Sequence, residues 1–336
     1  MPAAVKLNAL ELGRALAALA VVAHHAGQAS DAFTSGVLGH RFEAGALGVD
    51  FFFVLSGFII FYVHHRDPKN TKSARKYLGR RLRRIYVPYL PIGLLMIVAY
   101  TLLPGLSQGN RDWSLFTSLT LLPSGSPPAL SVAWTLVYEM IFYIFFLIFF
   151  FTRHFWWIVA VWAIIVFTLF ITGFSDRITL TPFSVVLNPL ILEFVAGMVA
   201  ALLFTRLSPS AWPFPLVIGL LLTGSFFLTE DADRVFLGLA LAPVVLGLAL
   251  AEVHFAYRVP KEVLLLGGAS YSIYLVHNPI QSIVARVASS ADHWALTFIA
   301  SCVTGVAVGI GYHLLFERPA LCLLSHRPAR VTPNGS

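Results

Sequence analysis

Seven ionisable residues inside long apolar runs stand out for their types and spacing: Arg14, His24, His25, Asp50, Glu139, Glu193 and His277. Charge there is costly, so such side chains normally face an enclosed, functional interior. Arg14 and His25 are eleven residues apart, which on a helix leaves them within about 20° of one face and about 16 Å apart along the axis. His24 falls about 80° off that face, so His25 is the histidine expected to work with Arg14. The competing reading has Arg14 snorkelling to one interface while His25 finishes the other end of the helix. Ser270, Tyr274 and His277 share one helical face within about 60°. A polar stripe gluing two helices gives the same pattern.

Histidine suits general-base work near neutral pH. A carboxylate, Glu139 or Asp50, would hold its tautomer. Tyr143, four residues after Glu139, shares that residue's face. Asp50 begins its apolar run and also reads as an interfacial carboxylate. Glu193 has no partner nearby in sequence and reads as structural.

The composition names the solvent of these runs. Of 336 residues, 58% are hydrophobic and only 12% are Asp, Glu, Lys or Arg. Soluble domains carry roughly 25% charged residues. A sizeable soluble domain is therefore excluded, and long non-alternating runs exclude a porin-like barrel. Two cysteines, Cys302 and Cys322, suggest neither a disulfide framework nor a metal site. The formal net charge of +7 reads as loop charge that orients a membrane protein rather than as a nucleic-acid surface.

Ten apolar segments are expected to span: 7–27, 44–63, 85–104, 132–152, 155–173, 186–206, 213–229, 234–254, 264–288 and 294–316. With a cytoplasmic N-terminus, 18 of the 23 Lys and Arg residues fall inside and five outside. That bias predicts an all-α bundle of about ten helices with both termini cytoplasmic. The first segment has features of a signal peptide, but Glu11 and Arg14 interrupt the apolar core such a peptide needs. Residues 1–320 are expected to form a single domain and 321–336 a short disordered cytoplasmic tail. Segment 64–84 is the one strongly basic run. It is a topology signal on one reading, and on the other its arginines Arg80, Arg81, Arg83 and Arg84 dock a polyanionic cofactor. Pro88 marks the start of the third span, and Pro279 is expected to kink the ninth helix.

Six segments in this order resemble the acyltransferase 3 family of integral membrane O-acyltransferases. They are LELGRALAALAVVAHHA, GVDFFFVLSGFII, YLGRRLRRIYVPY, WTLVYEMIFY, GGASYSIYLVHNP and FERP. Together they cover roughly residues 7–320 and look most like the stand-alone exopolysaccharide O-acetyltransferase branch. The chain departs at Gly13, where Leu is usual, and at Thr135, where Ser is usual. The esterase-like second domain of some relatives is expected to be absent.

The resemblance implies transfer of an acyl group, most often acetyl from acetyl-CoA, to a hydroxyl of a cell-surface or secreted carbohydrate. The carbohydrate could be lipid-linked, and the setting would be the bacterial inner membrane. On that reading His25, Glu139, Arg14, His277 and Asp50 are catalytic candidates. Arg14 with the four arginines of 80–84 would hold the donor. Trp134, Tyr143, Ser270 and Tyr274 would meet substrate. No metal and no permanently bound cofactor are expected, and no nucleic acid. The rival is a transporter or flippase for a lipid-linked sugar, which would also want a polar track and a kinked helix.

Overall fold

The computed structural model describes residues 7–103, 105, 112–229, 233–255 and 259–325. They form thirteen α-helices: α1 Asn8–Phe33, α2 Gly48–His64, α3 Thr71–Leu102, α4 Leu115–Thr120, α5 Trp134–Phe146, α6 Phe155–Ile171, α7 Phe183–Val186, α8 Ile191–Phe204, α9 Pro213–Leu228, α10 Arg234–Phe255, α11 Lys261–Ala288, α12 Trp294–Tyr312 and α13 Arg318–Ser325. Among the described residues there is no strand. The protein is an all-α membrane protein, and each of the ten apolar segments is largely helical.

Among the described residues, six helical stretches are long and apolar enough to cross a bilayer: Gly39–His64, Thr71–Leu102, Ser131–Phe150, Pro209–Leu228, Arg234–Phe255 and Trp294–Leu324. The α6 and α8 helices are apolar but shorter. The α1 and α11 helices are continuous over 26 and 28 residues, but polar residues such as Arg14 and His277 break up their apolar sequence.

Burial follows the solvent. The α1 helix, rich in alanine, lies at the centre with Ala18, Val21, Val22 and Ala26 enclosed. It packs on α11 and α12 on one side and on α2 on the other. The outer faces of α3, α6, α9 and α12 expose Leu95, Ile164, Leu221 and Val303, as helices solvated by lipid do. Close crossings need small residues. At the α2–α8 crossing, a Cβ on Gly57 would sit 2.0 Å from the Phe194 carbonyl oxygen, and one on Gly197 1.9 Å from that of Val54. Neither position can accept alanine without moving a helix.

Three boundaries differ from the sequence reading. First, the basic run and the third span are one 32-residue helix, with Pro88 inside it rather than at its start. At 1.5 Å per residue, α3 is about 48 Å long, against an apolar slab of about 30 Å. Asn70 caps it by accepting the Ser73 N–H at 2.8 Å. Second, α11 starts at Lys261, before the expected segment, and holds Pro279 inside it. Third, the boundary at residue 320 falls within α13, so residues 321–325 are helical rather than disordered; 326–336 lie outside the described residues.

One carboxylate ties α10 to the start of α1. Glu252, late in α10, accepts the N–H groups of Asn8 and Ala9 at 2.6 and 2.7 Å and so caps the first turn of α1.

Candidate active site

A cavity of about 560 Å³ opens among α1, α2, α3, α5, α11 and the π-helical turn His313–Glu317 that follows α12. Arg14, Arg81, Arg84 and Arg318 line it together with Glu11 and Glu139. Phe52, Phe53, Leu55 and Leu136 supply apolar wall. Cations outnumber carboxylates there. Such a cavity suits an elongated ligand with an anionic end and a less polar arm.

Arg14 donates from Nε to Ser270 Oγ at 3.2 Å and lies 3.6 Å from Glu11, one turn earlier. Glu139 accepts the Ser56 hydroxyl at 3.1 Å and also the Tyr143 hydroxyl, from the same face of α5. The small pair Ser56-Gly57 therefore serves twice: Ser56 holds Glu139 and Gly57 lets α8 approach. Tyr274 lines the cavity and lies 2.9 Å from both the Val132 carbonyl oxygen and the Thr135 hydroxyl. Its hydroxyl proton is committed there. Thr135 keeps the hydroxyl that serine would supply.

The histidines lie beyond Tyr274, outside the cavity wall. The Tyr274 and His277 rings are 5.7 Å apart, and the His277 and His25 rings 5.0 Å. His277 Nδ1 is 3.0 Å from the Ile273 carbonyl oxygen, and His25 Nδ1 is 3.0 Å from that of Val21. A carbonyl only accepts, so both Nδ1 atoms carry the proton. His277 Nε2, 3.3 Å from His25 Nδ1, is then an acceptor facing a donor. His25 Nε2 is left with its lone pair free, which is the state of a general base. His24 meets His25 edge-on at 4.9 Å.

The four arginines of the basic run divide by helical phase. Arg81 and Arg84, three residues apart, face the cavity. Arg81 donates to His64 Nε2 at 3.4 Å and lies over the Tyr77 and Tyr143 rings. His64 in turn donates to Asp67 at 2.7 Å. Arg80 and Arg83 are exposed and outside the cavity wall, contrary to the expectation that all four would hold the donor. Arg83 instead donates to the carbonyls of Gly79 and Leu324.

Three other residues have partners different from those expected. Asp50 does not orient a histidine. Its buried carboxylate accepts Arg234 Nε at 2.8 and 2.9 Å, and Arg234 also reaches the Ala46 carbonyl. Trp134 is not in the cavity wall; its ring packs on Phe53 and Tyr138. Glu139 reaches Ser56 and Tyr143 rather than His25. Sequence reasoning missed Arg318, His313 and Tyr271 in the wall, and Glu317 behind it. The available signal was FERP, which places a carboxylate and an arginine at the end of an apolar run.

Known proteins are similar to this chain over most of its length. A family profile described as Acyltransferase domain matches residues 7–314. The chain is 33% identical to the "Exopolysaccharide production protein ExoZ" of Rhizobium meliloti (strain 1021), over 84% of this chain and 92% of that protein. It is 28% identical to "Acyltransferase MdmB" of Streptomyces mycarofaciens, over 99% of this chain and 96% of that protein. No solved structure matches significantly. The chain therefore belongs to the acyltransferase 3 family and is a multi-pass membrane acyltransferase.

Proposed function

We propose that this enzyme transfers an acyl group, most simply acetyl, from acyl-CoA to a hydroxyl of a surface or secreted carbohydrate, at the bacterial inner membrane. The observation that carries the reading is the pair His25–His277, whose hydrogen bonds leave His25 Nε2 as a free base. The cation-lined cavity supports the donor assignment: Arg81, Arg84 and Arg318 match the phosphates of CoA. A relative named for exopolysaccharide production supports the acceptor assignment.

The step balances without any further reactant. His25 Nε2 takes the acceptor hydroxyl proton while the hydroxyl oxygen attacks the thioester carbonyl carbon. The new C–O bond forms, the C–S bond breaks, and the imidazolium returns its proton to the leaving thiolate. His277, fixed through Nδ1 by the Ile273 carbonyl, holds His25 in its productive tautomer throughout. The Lys and Arg bias supports a cytoplasmic Arg81–Arg84 end with His25 toward the outside. The roughly 16 Å from Arg14 to His25 lies within the span of an extended pantetheine arm, so the thioester reaches the base without CoA crossing.

The reading is tested by mass spectrometry of surface and secreted glycans from cells with and without the gene. Loss of an acyl mass from one glycan in the deletion, restored by the wild-type gene and not by His25→Ala, is the expected result. Identical glycan masses in all strains contradict a carbohydrate acceptor.

A further inference from the structure

We propose that Glu317 is a positioning residue of the donor site, setting the geometry of Arg84 and His313 at the cavity wall so that its contribution appears as donor affinity. The proposal rests on the reading of the cavity as an acyl-CoA site.

Glu317 is fully buried and ends the π-helical turn His313–Glu317. Such turns recur at functional sites, because the extra residue re-aims side chains at some cost in regular bonding. Three donors from three elements converge on this carboxylate. Oε1 accepts Arg84 Nη1 of α3 at 2.9 Å. Oε2 accepts the Ser272 hydroxyl of α11 at 2.6 Å and His313 Nδ1 at 2.7 Å. Glu317 itself is behind the wall, whereas Arg84 and His313 are in it.

The consequences fall on those two side chains. Arg84 is anchored by one nitrogen and by the Tyr271 ring 5.7 Å away, and its side chain keeps 37% exposure. Nε and Nη2 hold no hydrogen bond among the described residues, so they are available to an anion. His313, with Nδ1–H given to Glu317, has a fixed tautomer and an unengaged Nε2. Without the carboxylate, a long arginine side chain would sample many rotamers and lose the order that makes an anion site tight. Arg81 provides an internal control, because it is held by His64 and two tyrosine rings and not by Glu317.

The test is a double-mutant cycle on full-length protein in lipid nanodiscs. It uses CoA itself as the binding probe and KM for acetyl-CoA as the kinetic one. Glu317→Gln is expected to weaken CoA by about tenfold, the scale of one charge-assisted hydrogen bond. The rise should fall on KM rather than on kcat. Combined with Arg84→Gln it should add no more than about twofold to the loss of Arg84→Gln alone. Combined with Arg81→Gln the losses should multiply. Multiplicative losses with both arginines, or a loss confined to kcat, overturn the proposal. If Glu317→Gln does not fold, Ser272→Ala replaces it in the same cycle, with a few-fold loss that vanishes in the Arg84→Gln background; a loss that persists there overturns the proposal equally. Wild-type protein that does not bind CoA brings down the donor reading itself. Wild-type protein that binds CoA no more tightly than Glu317→Gln removes only the role of Glu317.

Discussion

His277 Nε2 stands 3.3 Å from His25 Nδ1, and each ring gives its Nδ1 proton to the carbonyl one turn before it. Two helices, α1 and α11, thus fix one tautomer in common. The arrangement assigns unequal roles to three neighbouring histidines. His25→Ala should lower acyl transfer by about 10²–10⁴-fold, the usual worth of a general base. His24→Ala should stay within a few-fold of wild type. Measuring transfer in membranes with matched protein levels checks both, and the reverse ranking would reassign the base.

His277 should behave as an orienting residue. His277→Gln keeps a side-chain acceptor able to face His25 Nδ1, whereas His277→Ala does not. The glutamine variant should therefore retain more kcat than the alanine variant. Equal losses in both would mean that His277 contributes something other than an acceptor.

The arginines of α3 give a four-way comparison. Arg81→Gln and Arg84→Gln should raise KM for acyl-CoA, with the wild-type contact weakening as salt is added. Arg80→Gln and Arg83→Gln, whose side chains lie outside the cavity, should leave it near wild type. Steady-state kinetics on the purified enzyme separates the pairs. A uniform effect of all four would mean that only local charge matters.

This division shows what the sequence made legible and what it did not. The helical spans, the shared face of Arg14 and His25, and the pairing of Glu139 with Tyr143 all follow from local periodicity, which a sequence displays directly. The arginine run also pointed to the cavity, but which arginines enter depended on α3 continuing unbroken through Pro88. Arg234 is 184 residues from Asp50, and Arg84 and Ser272 are 233 and 45 residues from Glu317, so no local pattern encodes these partners; only His313, four residues before Glu317, is local. A buried carboxylate announces that it needs a partner, not which one.

Asp50 accordingly should test as a structural residue. Asp50→Asn leaves Arg234 facing a neutral group. Because the Arg234 side chain is 33% exposed, the cost should fall below the roughly 3–5 kcal/mol of a fully buried broken pair. The variant should show a lower thermal midpoint in detergent, with kcat per folded molecule preserved. A large kcat loss at unchanged thermal stability would return Asp50 to the catalytic set.

Orientation is open to chemical labelling. In a background lacking Cys302 and Cys322, a cysteine at the exposed position 28 should react with an impermeant thiol reagent from outside. One at the exposed position 70 should react only after the inside is opened. Labelling of position 70 on intact cells would invert the topology and place the donor cavity on the wrong side.

The most direct test of the whole account is transfer of isotope-labelled acetyl from acetyl-CoA by purified protein in nanodiscs supplied with the acyl-free glycan from a deletion strain. The expected result is label on the glycan that mild alkali releases, as it must from an ester, and that is lost with His25→Ala but not with His24→Ala. Label that never leaves CoA, or that transfers equally well with His25→Ala, would contradict it.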